Sequence, residues 1–222
     1  MTTIGVVVAT KNAIQPALDA FTRYAPEVKV MLYVDEGLLA AVEDAGRVTQ
    51  PILRRFASLV ARAEESGVDG ILFSCTVFSP HFAELEPFYS VPIVSVDGAM
   101  ISEAAAKDGS IGLLATTGPT EKMVVSQLHQ QAQRAGTTIT VRSCFVKGAF
   151  DILLSDPERH DEMIFNAAKE LGECDRYLLA QMSMARAAEK VAALGKPVLT
   201  SPESSVKAIM AKVEKHKLES RR

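Results

Sequence analysis

Gly67-Val68-Asp69-Gly70-Ile71-Leu72-Phe73-Ser74-Cys75-Thr76-Val77-Phe78-Ser79-Pro80 holds both a strand and the chemistry at its end. Ile71 to Phe73 is an apolar run too short for a helix and bounded by Gly70, so it reads as a buried strand. Ser74-Cys75-Thr76 closes it with small polar side chains. Ser79-Pro80 predicts a helix start, with serine as cap and proline at the first helical position. A thiol at the carboxyl end of a parallel strand stands where open α/β sheets bind ligands. Helix amino termini gathered there favour anions, a thiolate included. Against this stands the plain reading, since free cysteine is among the most buried residue types. The stretch alone does not choose between the two.

Strand-then-helix recurs outward from it. Ile4-Gly5-Val6-Val7-Val8-Ala9 is a β-branched run and a buried first strand, ending at Thr10-Lys11-Asn12, with a helix through Ala17, Phe21 and Tyr24. Lys29 to Val34 is a second strand, ending at Asp35-Glu36-Gly37. A long helix begins at Val48 with Pro51 in its first turn, and Ile52, Phe56, Leu59, Val60 and Ala63 share one face. Pro92-Ile93-Val94 is a short fourth strand. This alternation predicts a parallel sheet with right-handed crossovers.

The second half runs through the same order. Ser110 to Thr116 matches the first strand up to Thr10 in residue type, closing Ala-Thr included. Thr138 to Arg142 is its second strand and Glu158 to Leu171 a helix. Asp175 to Gln181 matches Asp69 to Cys75, and Lys196-Pro197-Val198-Leu199 matches Val91-Pro92-Ile93-Val94. One offset, 106 residues, relates Thr10 to Thr116 and Cys75 to Gln181, which predicts an internal structural repeat. The expected fold is α/β, with two pseudo-symmetric Rossmann-like lobes, each a four-stranded mainly parallel sheet flanked by helices. Residues 1–96 with 202–222 would form the lobe carrying Cys75, and 97–201 the lobe carrying Gln181. Ser201-Pro202 starts a last helix through Val206, Ile209, Met210 and Val213 that returns to the first lobe. Its charged end, Glu214 to Arg222, reads as a frayed, solvated tail.

The 222 residues, 48% of them hydrophobic, suffice for a sizeable core. A formal charge of −3 leaves no basic footprint for nucleic acid. Apolar runs are too short to span a membrane, and no basic-then-apolar segment marks a secretory signal at the amino terminus. Cys75, Cys144 and Cys174 fall at no metal-binding spacing and leave an odd thiol, which fits a reducing cytoplasm. No glycine-rich phosphate loop or His-Glu metal motif is present. A cytoplasmic protein without metal, cofactor, nucleic-acid or membrane partner is the expectation.

If the lobes face each other, Cys75 and Gln181 would flank one cleft, with Thr10 and Thr116 beside them. Leu72-Phe73-Ser74-Cys75-Thr76, Gly112-Leu113-Leu114-Ala115-Thr116-Thr117 and Leu179-Ala180-Gln181-Met182-Ser183-Met184 in that order resemble the aspartate/glutamate racemase superfamily. That superfamily includes hydantoin racemases, maleate isomerases and arylmalonate decarboxylases. Asp35-Glu36 and His160-Asp161 resemble features of one uncharacterised branch, and the likeness covers essentially the whole chain. It implies a cofactor-independent enzyme with its active site between the lobes. Family racemases use one cysteine per lobe on opposite faces of the substrate carbon, one taking the proton and the other returning it. Cys75 stands at the first position. Gln181 stands at the second, and a carboxamide does not exchange a proton near neutral pH. Val8-Ala9-Thr10-Lys11 replaces the acidic residue some members carry after the first strand. Ser183 replaces the histidine that glutamate racemases place two residues beyond the second cysteine. These departures count against a symmetric two-thiol mechanism.

The resemblance implies a small carboxylate as partner, compatible with a homo-oligomer, and chemistry through an enediolate. Hydroxyls and backbone N–H groups at Thr10, Thr76, Thr116, Thr117 and Ser183 are candidates to stabilise that anion. Gln181 could donate to it as well, and Lys11 could pair with a carboxylate. Met182 adjoins them, although Met182, Met184 and Met210 read as core before pocket wall. Cys75 would carry the proton, its thiolate favoured by a helix amino terminus and opposed by a bound carboxylate. Cys144 reads as packing and Cys174 as structural. His81, His129 and His216 read as surface residues, and His160 as a candidate lid residue. Three functions compete: a one-thiol isomerase or decarboxylase, a racemase with a second base other than cysteine, and a non-enzymatic carboxylate-binding protein. Ser74-Cys75-Thr76 counts against the last and Gln181 against the second.

Overall fold

The computed structural model describes residues 1–220. The chain divides into two compact units, Met1–Gly98 together with the segment from Pro202 onward, and Ala99–Ser201. In the first, β1 (Thr3–Val8) leads through a 3-10 turn (Lys11–Ala13) into α1 (Ile14–Tyr24), β2 (Lys29–Val34), α2 (Gly37–Ala45) and α3 (Gln50–Glu65). Then come β3 (Gly70–Phe73), a 3-10 turn (Thr76–His81), α4 (Phe82–Leu85) and β4 (Ile93–Ser95). Its sheet has the order β2-β1-β3-β4, every pair parallel. The continuous apolar run of β1 follows from this central position, since a strand with both faces covered buries every side chain. α3 starts behind Thr49 with proline in its first turn and buries Ile52, Leu53, Phe56, Val60 and Ala63.

The second unit contains α5 (Gly98–Ala105), β5 (Gly109–Ala115), α6 (Gly118–Ala135), β6 (Ile139–Phe145), α7 (Ala149–Ile152) and α8 (Pro157–Leu171). β7 (Arg176–Leu179), a 3-10 turn (Met182–Ala187), α9 (Ala188–Ala192) and β8 (Val198–Leu199) complete it. The order β6-β5-β7-β8 is again all parallel. Strand alternation divides the core. Leu113 and Leu178 pack with Met100, Ile101, Val124 and Leu128, whereas Leu114 and Leu179 pack with Val146, Ile164, Met184 and Val191. The expected α/β architecture of two four-stranded parallel sheets with flanking helices is therefore observed.

α10 (Ser201–Glu219) carries the chain back to the first unit and buries Val206, Ile209 and Val213. It lies so close over β3 that a Cβ on Gly70 would be 2.5 Å from Val213 Cγ2 and 3.1 Å from Ile209 Cδ1. The charged end does not fray from Glu214. It stays helical to Glu219, and Lys217 Nζ sits 2.7 Å from Asp69 Oδ1. Arg221 and Arg222, the rest of that stretch, lie outside the described residues.

Two sequence readings shift. The Asp69 N–H donates to Thr3 O and the Asp175 N–H to Ser110 O; the Ser74 N–H donates to Val7 O and the Ala180 N–H to Leu114 O. These ladders relate β3 to β7 at 106 residues, but β1 to β5 at 107. Thr10 therefore answers to Thr117, each in extended conformation just ahead of a helical segment, and Ala9 answers to Thr116. The offset of 106 holds for Cys75 and Gln181. Secondly, the helix expected at Ser79-Pro80 begins at Thr76 as a 3-10 turn, with Cys75 in the cap position and Pro80 inside. Ser79 does not cap because its hydroxyl donates to Asp97.

Gly5 and Gly112 occupy corresponding places in the two central strands, and both admit close neighbours. A Cβ on Gly112 would meet Tyr177 Cδ1 at 2.6 Å and Cys174 Sγ at 3.1 Å. Gly112→Ala is expected to lower stability by about 1–3 kcal/mol, read by urea unfolding. Gly118→Ala, where nothing lies within 4 Å, should leave stability unchanged or slightly raised.

Candidate functional site

Register sets the carboxyl ends of β1, β3 and β4 side by side. β1 runs into half-buried Thr10, exposed Lys11 and buried Asn12. β3 runs into Ser74, Cys75 and Thr76, all buried, and β4 into Asp97, which is fully buried. Cys75 is held from behind by aromatic packing. The Phe78 ring, three residues on, stacks on Phe56 of α3 at 4.1 Å, and Phe56 meets Phe73 of β3 edge-on at 5.0 Å. The Phe78 N–H donates to Cys75 O at 3.2 Å, closing the turn. Ser79 Oγ, in the same turn, donates to Asp97 Oδ1. Asp97 Oδ2 and Ser74 Oγ are buried with no hydrogen-bond partner.

Electrostatics give this thiol a definite protonation state. Burial pushes the Cys75 thiol up to about 12; the Val77 backbone N–H, which donates toward the sulfur, opposes the shift, and the Asp97 carboxylate adds to it. The helix-favoured thiolate expected from sequence is not realised. A 3-10 turn followed by four α-helical residues has little macrodipole, and desolvation outweighs one N–H. Burial likewise lifts Asp97 to about 6, against the Ser79 hydroxyl, its own backbone N–H and Ser95. Asp97 escaped the sequence reading. Its signal was there, as the one charged residue between Glu86 and Glu103, just past a strand end.

In the second unit Gln181 is clamped. The Thr116 N–H donates to Gln181 Oε1 at 2.9 Å, and Gln181 Nε2 donates to Thr116 Oγ1 at 2.8 Å. The carboxamide thus bridges the ends of β5 and β7 with one N–H left over. The Thr117 hydroxyl donates to Thr120 Oγ1 at 2.8 Å. Met182 and Ser183 are buried in the following 3-10 turn, beside fully buried Met184, while Met210 is half-buried.

The remaining candidates separate cleanly. Cys174 is core, beside Gly112, and half-buried Cys144 packs against the same cluster. His129 and His216 are exposed and His81 is half-buried. His160 is fully buried within α8, a packed position rather than that of a lid. Its Nδ1 lies 2.9 Å from Asp161 Oδ1, which also accepts from Arg186 Nε at 2.9 Å. Burial pushes the imidazole below its ordinary value, with Asp161 opposing. Among the described residues, no group of three or more His, Cys, Asp and Glu side chains could hold a metal ion. No described helix is long and apolar enough to cross a membrane.

Residues 9–209 match the sequence model of the Asp/Glu/hydantoin racemase family. No curated protein matches the chain at a significant level. Aspartate racemase of Picrophilus torridus superposes with a TM-score of 0.71 at 16% identity, covering 96% of this chain and 95% of its own. Allantoin racemase from Klebsiella pneumoniae gives 0.67 at 17%, covering 96% and 88%. A liganded variant of arylmalonate decarboxylase gives 0.60 at 15%, covering 96% and 93%.

The Asp97 shift has a signed consequence for stability. Its folded value, about 6, lies above the ordinary 3.8, so its contribution is complete below about pH 4 and is lost as pH rises through 6. Asp97→Asn removes that loss. The variant should gain on wild type from near zero at about pH 4 to about 3 kcal/mol at about pH 8, with 1.36 kcal/mol per unit. Urea unfolding across that range reads it, and a difference that did not change with pH would contradict the assignment.

Proposed function

The chain belongs to the Asp/Glu/hydantoin racemase family, and from that premise we propose that it is a cofactor-independent enzyme acting at a carbon α to a carboxylate, with Cys75 delivering a proton to one face. The reaction is that of a one-thiol decarboxylase or isomerase on a small carboxylate. One asymmetry carries the reading: a buried neutral thiol ends β3, while the corresponding residue in the second unit is a carboxamide locked to Thr116.

Decarboxylation of a malonate-like acid leaves the electron pair of the broken C–C bond on the α-carbon as an enediolate. The Cys75 S–H gives its proton to that carbon, and water reprotonates the thiolate before the next turnover. Donors proposed for the enediolate are Thr10 and Thr76 in the first unit, and the second unit offers Ser183 and the remaining N–H of Gln181 at its own strand ends. The Thr117 hydroxyl donates to Thr120, whereas the Thr116 hydroxyl accepts from Gln181 and keeps its own hydrogen to donate. Exposed Lys11 suits a carboxylate that is not consumed, and Met182 an apolar wall.

Wild-type protein should convert a prochiral malonate-like acid to one enantiomer, and Cys75→Ala should lose roughly 10²–10⁴-fold in rate. Gln181→Cys, by supplying a second thiol, should raise α-proton exchange on a chiral substrate, followed by deuterium uptake. Efficient racemisation by wild type with no gain from Gln181→Cys would favour a racemase with another second base. Carboxylate binding without turnover would identify a binding protein.

A further inference from the structure

We infer that Asp97 is a positioning residue for Cys75: through Ser79 it ties down the turn that carries the sulfur and sets a carboxylate beside that turn. The inference rests on reading Cys75 as the proton carrier and goes beyond it by assigning what holds the carrier in place.

The fold does not require a carboxyl group here. Strand pairing matches Ile71 with Ile93 and Tyr177 with Val198, so the position after β8 that answers to Asp97 is Pro202, where the chain returns to the first unit. The nearest carboxylate there, Glu203, is solvated and paired with Lys207. Asp97 is instead fully buried, with Oδ2 unpartnered. A buried carboxyl group satisfied on only one oxygen costs stability, so packing alone does not account for it.

The Ser79 hydroxyl that donates to Asp97 Oδ1 points to the thiol. Ser79 lies in the 3-10 turn capped by Cys75, the turn that also supplies the Val77 N–H to the sulfur. Fixing Ser79 therefore fixes the backbone around the thiol. The groups acting on Asp97 are Ser79, its own N–H and Ser95; those acting on the sulfur are the Val77 N–H and Asp97. An ionised Asp97 disfavours a second negative charge on sulfur. Burial already keeps the thiol loaded at neutral pH, and the carboxylate adds to the drive by which the thiolate left after proton transfer recovers its proton from water.

The test is the pH profile of Cys75 alkylation by iodoacetamide, followed on its peptide by mass spectrometry, with Cys144 as internal reference. Asp97→Asn should move the Cys75 midpoint down by about one pH unit, with an alkylation rate about tenfold higher at pH 8. Asp97 stays ionised where the thiol titrates, so Ser79→Ala acts only through the turn: untying it loosens the Val77 N–H from the sulfur, and the Cys75 midpoint should move up. A purely structural role would raise the limiting rate through looser packing without moving the midpoint, and that result would overturn the proposal. If Asp97→Asn does not fold, Ser79→Ala decides. Loss of fold in both variants would assign the pair to the scaffold and overturn it equally. Alkylation needs no substrate, so a shifted midpoint without turnover on any carboxylate would sink the enzymatic reading and leave this one standing.

Discussion

Two backbone hydrogen bonds on either side of β3 govern the first unit. The Ser74 N–H reaches Val7 O at 2.9 Å, and the Val96 N–H reaches Phe73 O at 2.9 Å. They stop three strands at a common level, which is why Cys75 and Asp97 emerge beside each other from segments twenty-two residues apart. A slip of one residue in β4 would turn Asp97 to the opposite face and separate it from Ser79. The stack of Phe78 on Phe56 then holds the turn beyond β3 against α3. The placement of Cys75 beside Asp97 is a by-product of register and aromatic packing rather than of any local motif.

The second unit runs the same ladder to a different end. Its Ala180 N–H meets Leu114 O at 2.9 Å, as Ser74 meets Val7, but the next side chain is Gln181, which folds back onto Thr116. A thiol in that place would keep a proton to exchange. The carboxamide exchanges none and spends its polar atoms joining two strand ends. Shared backbone with divergent side chains leaves the two units chemically unequal at corresponding strand ends.

Much of this was legible beforehand, for reasons that can be named. β1 and β3 are buried on both faces, so their apolar runs stand out, and α3 shows a clear helical period behind a proline. α2 escaped because Gly37-Leu38-Leu39-Ala40-Ala41-Val42 is apolar along its length and shows no period, although Leu38, Leu39 and Val42 are the buried positions. The repeat was visible but misaligned at its first strand. Ala9-Thr10 and Ala115-Thr116 are the same dipeptide, and only the hydrogen-bond ladder reveals that Thr117 is the true counterpart of Thr10. Cys75 could be singled out because its residue type is rare and its place at a strand end is readable. Asp97 and the Gln181–Thr116 clamp depend on pairings between distant segments, which no local pattern encodes.

The tight seat of α10 over Gly70 has a consequence for biogenesis. All four strands of the first unit lie within residues 3–95, yet the helix covering β3, Ser201–Glu219, follows every strand of the second unit. On the ribosome, residues 99–201 hold every strand of their own sheet and can complete it while α10 is still inside the exit tunnel. The first unit, synthesised earlier, must wait with an apolar stripe of its sheet uncovered until Val206, Ile209 and Val213 emerge. The unit begun first is thus completed after the second, and its thiol-bearing sheet stays open to chaperones until α10 emerges.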